Sequence, residues 1–87
     1  MIDSNLPIKE YVSQLYDLHI QSFNGAKLLT DEDREEIIEW VLSNEENWLA
    51  ALEKNPYLVN KYSYFSQMIK GKFSSYWLKA KKKNKNN

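Results

Sequence analysis

Few side chains in this sequence are equipped for catalysis. His19 is the single histidine and cysteine is absent, so a Ser-His-Asp or Cys-His centre would have to be built on His19 alone. His19 falls on the apolar side of the first predicted helix, which is where a core or boundary histidine belongs. The carboxylates of "DEDREEIIEWVLSNEE", starting at Asp31, are of the right type for acid/base work or for holding a metal. A calcium loop starting there, however, would need glycine where Glu36 stands. Gly25 and Gly71, the two glycines, make no phosphate-binding loop. This inventory predicts neither an enzyme nor a bound cofactor or metal.

Binding is the other chemistry on offer, and the charge pattern points to it. The net charge is zero, yet residues 31–53 hold nine acids against Arg34, and residues 54–87 hold nine lysines and no acid. In "NKYSYFSQMIKGKFSSYWLKAKKK" the lysines are interleaved with aromatic rings. Lysines neutralise phosphates and rings stack on bases, so this composition suits nucleic acid. On a continuous helix Lys61, Lys72 and Lys79 fall on nearly one line beside an aromatic seam. The plainer alternative is that the seam is core and the lysines reach along its edge into water. Tyr64 and Trp77 lie off the seam and are the better rings for a binding surface.

The acidic block offers a second kind of partner. Asp31 with Glu35, Glu32 with Glu36, and Glu35 with Glu39 are like-charge pairs one helical turn apart. Each pair mildly destabilises its helix. A surface that keeps them would suit a basic protein, as in an inhibitor, an immunity protein or a mimic of DNA's charge. Against this, acidic helix starts are commonly just solvated. The acidic and basic blocks would also neutralise each other within the fold or across a dimer.

The elements that must position these groups are helical. Pro7 suits a first helical position, and Ile8, Tyr11, Val12, Leu15, Leu18, His19 and Phe23 recur at steps of three and four. Asn24-Gly25 stops this helix, with Gly25 expected as a left-handed cap. Thr30 begins the second helix as N-cap, with Asp33 three residues on. Its apolar positions are Ile37, Ile38, Val41 and Leu42. Ser43 and Glu46 form a capping-box pattern for a third helix burying Trp48, Leu49 and Leu52; one bent helix over residues 31–54 fits as well. Asn55-Pro56 closes this section. From there Leu58, Tyr62, Phe65, Ile69, Phe73, Tyr76 and Ala80 form a seam that passes Gly71 without losing phase.

The expected fold is therefore all-α: a small three- to four-helix bundle over residues 1–80, with a disordered Lys-rich tail over residues 81–87. An 87-residue chain buries little core, which makes a homodimer through the aromatic seam a further expectation. The longest dense apolar run, "IIEWVL", is broken by Glu39 and far too short to span a bilayer. With no signal-like start and no cysteine, the reading is a soluble, cytoplasmic protein without membrane contact.

One local resemblance bears on function. "YSYFSQMIKGKFSS", residues 62–75, resembles the recognition helix and following turn of phage-repressor-type helix-turn-helix regulators, through Phe65, Ser66, Ile69, Gly71 and Lys72. The resemblance implies a helix that ends near Gly71 and lies in the DNA major groove. It would turn Lys61, Ser63 and Gln67 to the DNA, and Lys70 and Lys72 to phosphates. The segment before it, "EKNPYLVNK", is longer than the usual turn of that family. Periodicity favours one helix across Gly71; the resemblance favours two. The leading expectation is a nucleic-acid-binding regulator using Lys61, Ser63, Gln67, Lys70, Lys72 and Lys79. The alternative is a protein-binding inhibitor or adaptor using Asp31, Glu32, Glu35, Glu36 and Glu39.

Overall fold

The structure, a computed structural model, describes residues 2–3, 5–56 and 60–85. Its elements are α1 (Ile8–Ile20), a 3-10 turn (Ala26–Leu28), α2 (Asp31–Ser43), α3 (Glu45–Lys54) and α4 (Lys61–Lys85). No strand occurs among the described residues, and the all-α bundle expected from the sequence is what forms. None of these helices is long and apolar enough to cross a membrane.

The helix ends follow local chemistry. Pro7 sits one position earlier than expected, at the N-cap of α1, where its carbonyl accepts from the Tyr11 N–H at 2.9 Å. Thr30 and Asp33 make the expected capping box: the Asp33 N–H donates to Thr30 Oγ1 (3.1 Å), and the Thr30 N–H donates to Asp33 Oδ2 (3.0 Å). Asn60 starts α4, its Oδ1 accepting from the Ser63 N–H at 2.9 Å.

Three expectations about the helix ends and faces need correcting. Gly25 is not a left-handed cap; its φ is −91°, and α1 has already ended at Ile20. The chain does break between α2 and α3, but at Asn44, and without the Ser43–Glu46 box. Ser43 Oγ and Asn44 Nδ2 both donate back to the Trp40 carbonyl, at 2.7 Å each. Leu49 is 52% exposed, while Trp48 is buried and Leu52 packs partly buried against the core.

Gly71 interrupts nothing: α4 is one helix of 25 residues, about 37 Å long at the usual rise. The core lies where α1, α2 and α4 meet. Val12, Leu15, Ile37, Val41, Phe65 and Ile69 are completely buried there. Edge-on ring contacts tie α1 to α4, Tyr16 to Phe73 (5.1 Å) and Tyr11 to Phe65 (6.2 Å). Trp48 reaches in from α3 to stack near Phe65 at 5.3 Å. Removing a ring such as Phe65 would cost about 3–5 kcal/mol, a large share of what so small a domain has.

The predicted seam therefore forms core at Phe65, Ile69 and Phe73, with Tyr76 partly buried against it. Tyr62 lies at its edge, 45% exposed, and Leu58 lies outside the described residues. The helix runs through Lys85, into the segment expected to be a tail; Lys81, Lys82 and Lys83 there are exposed.

Candidate nucleic-acid interface

At about 100° per residue, the predicted binding residues of α4 divide between two flanks. Lys61, Lys72 and Lys79 fall within about 20° of one another. Ser63, Gln67 and Lys70 lie about 120–180° away from them, on the other side of the buried seam. The sequence reading joined these two sets; the helix separates them.

The flank holding Lys72 and Lys79 faces α2. The Lys72 ammonium sits over the Trp40 ring at 4.2 Å. Further along, an open cleft of about 520 Å³ has Glu32, Asp33 and Glu36 on one wall and Lys79 and Lys83 on the other. Tyr76 lies in the same cleft. Its hydroxyl pKa is raised, first by burial and then by the charge of the Glu36 carboxylate. Part of the acidic helix thus faces the basic one across this cleft. Lys61, at the far end of this flank, holds its ammonium over the Tyr11 ring at 4.4 Å.

The acids remaining on α2 point elsewhere. Glu35 pairs with Arg34 at 3.2 Å and keeps 68% of its side chain exposed. Arg34 also grips Asp17 of α1 through two bonds, Nε to Oδ1 (3.1 Å) and Nη2 to Oδ2 (3.2 Å). This partly exposed pair is worth at most about 1 kcal/mol. Asp31 and Glu39 are exposed.

The opposite flank of α4 faces α1 and solvent. Three open depressions follow the α1–α4 junction, of about 720, 580 and 250 Å³. The first two share Leu18 and Tyr62, and the last two share Phe23 and Ser74, so they form one track. Lys61 and Ser63 stand at one end, Lys70 at the middle, and Trp77 at the other. No acidic residue is among the described residues lining it. Lys81 extends the line, its ammonium 4.8 Å from the Trp77 ring.

His19 lines this track beside Tyr62, the two rings meeting edge-on at 5.7 Å. Its Nε2 is 2.8 Å from Ser66 Oγ. Ser66 is 4% exposed, so the pair is a hydrogen bond across the helix junction and not a nucleophile open to substrate. Burial first, and the Lys70 charge second, push the His19 pKa below its usual value. No group of three His, Cys, Asp or Glu residues capable of holding a metal occurs among the described residues.

Of the two rings singled out as binding candidates, Tyr64 is spent on packing, 5.3 Å from Trp48 and 5.5 Å from Phe65. Trp77 lines the track. The contributions of Leu18, Ser22 and Ser74 were not found from the sequence. Nothing but the packing of α1 on α4 brings them together. Comparison with protein-family models, with curated proteins and with solved structures gives no match.

Proposed function

We propose that the protein is a small, non-catalytic nucleic-acid-binding regulator of the cytoplasm. It acts through the side of α4 that faces away from the acidic helix. The carrying observation is one row on α4, Ser63, Gln67, Lys70, Ser74 and Lys81, running beside a track with no acidic residue among its described lining. Hydroxyls, an amide and ammonium groups are the donors that phosphates and base edges accept from. The resemblance of residues 62–75 to a recognition helix supports the same class of partner. The turn which that resemblance implied at Gly71 is replaced by continuous helix.

The test is fluorescence anisotropy of labelled nucleic acid over a range of salt concentrations. Lys70→Glu should weaken binding and flatten its salt dependence, while Lys72→Ala, whose ammonium is already on Trp40, should change little. A chain ending at Ala80 controls for unspecific attraction by the terminal lysines. Affinity that depends only on those lysines, or that ignores Lys70, overturns the reading.

A second reading has its own support. Glu35, 68% exposed, and Glu39 one turn on form an acidic edge that α4 does not cover. With Asp31 they would suit a cationic protein surface. Reversing both charges, Glu35→Lys with Glu39→Lys, should slow association with such a partner. Unaltered association would remove this alternative.

A further inference from the structure

We infer that the nucleic acid is single-stranded and that it lies in the α1–α4 track, with bases stacked on Tyr62 and Trp77. The inference rests on the nucleic-acid reading above and adds the form of the strand. A helix that reads duplex DNA must stand out as a ridge to enter the major groove. Here Lys70, Ser74 and Trp77 of α4 line one wall of the depressions, and α1 with the turn after it supplies the other through Leu18, Ser22 and Phe23. A concave seam of this kind admits a strand whose bases are unpaired and turned inward, which is how single strands are held.

The track has the components that such binding needs. Tyr62 is 45% exposed on its rim, and Trp77 lies fifteen residues on, by the sequence numbering, about 22 Å along the helix. At about 3.4 Å per stacked nucleotide, that span takes no more than about six. Lys70 and Lys81 lie on one side of the helix, about 16 Å apart along it, an interval suited to the phosphates of a strand whose bases face the rings. The two larger depressions, of about 720 and 580 Å³, fall within the volume range of clefts that take small ligands.

The test uses the full chain and labelled oligothymidine and oligouridine of about twelve nucleotides, each compared with the corresponding duplex. Single strands should bind about tenfold or more tightly than duplex. Tyr62→Ala should weaken single-strand binding about fivefold or more, and Tyr62→Phe, which keeps the ring, should restore it. Lys70→Ala should reduce the slope of log affinity against log salt by about 0.7. Circular dichroism and Tm show whether each variant stays folded. Preference for oligothymidine or for oligouridine supports the inference equally. Duplex binding as tight as single-strand binding, or indifference to Tyr62→Ala, overturns the inference and leaves the broader reading standing. Absence of binding to every probe overturns both.

Discussion

The indole ring of Trp77 on α4 rests against the backbone of Gly25, the residue that opens the 3-10 turn. A Cβ at position 25 would lie 2.8 Å from Trp77 Cγ and closer still to Cδ1 and Nε1. With a φ of −91°, the backbone itself does not require glycine. Close approach of the ring does. Gly25→Ala should therefore destabilise the fold by about 1–3 kcal/mol through overpacking. In a domain of this size that lowers Tm by about 4–8 °C per kcal/mol. An unchanged Tm in a thermal melt would show that the indole has room to move aside.

Gly71 makes the opposite prediction. Nothing lies within 4 Å of where its Cβ would be, and it is an exposed position in the middle of α4. Gly71→Ala should raise stability by about 1 kcal/mol, because alanine gives up less backbone freedom on forming helix. A lowered Tm would mean that residue 71 is a turn, as the helix-turn-helix resemblance implied.

These two glycines show what was legible in the sequence. The seam spacing passed through Gly71 without a phase change, and a continuous helix resulted. Thr30 with Asp33 likewise announced the start of α2, because a capping box depends on residues three apart. Gly25 was misjudged, since its reason for being glycine is a ring more than fifty residues away in sequence. The division of the lysines was hidden for the same reason. Periodicity placed Lys61, Lys72 and Lys79 on one line correctly, but only packing decides that this line faces Trp40 and the acids of α2. The His19–Ser66 bond, across 47 positions, was beyond any local pattern.

If nucleic acid is the ligand, the acidic wall facing Lys79 and Lys83 should repel it. Glu32→Gln with Glu36→Gln removes two of the carboxylates in that cleft. Affinity should rise about two- to fivefold, the scale of exposed charge interactions, and the gain should fade as salt shortens the Debye length. Anisotropy titrations at low and high salt check this. An equal gain at both would point to a change in the fold, and no gain would place the bound strand beyond the reach of these charges.

The last prediction concerns pH. Burial and the neighbouring Lys70 charge both disfavour the imidazolium form of His19. The unfolded chain, with an ordinary histidine, binds the proton more readily than the folded one. Stability from this group is therefore fully present above about pH 6.5 and is lost as pH falls through the lowered pKa of the folded state. No carboxylate among the described residues lining the groove compensates; the titratable neighbours there are Tyr62 and Lys70. The ordinary Asp and Glu range begins lower, near about pH 4, so the His19 contribution is separable from acid unfolding. Urea unfolding at about pH 7.5 and about pH 5.5 should show lower stability at the acidic value. In His19→Gln, which keeps a polar partner for Ser66 but does not titrate, the difference between the two pH values should largely disappear. A wild-type stability that rises toward pH 5.5 would mean that the imidazolium is favoured in the folded chain, and that the groove is more negative than its lining residues make it.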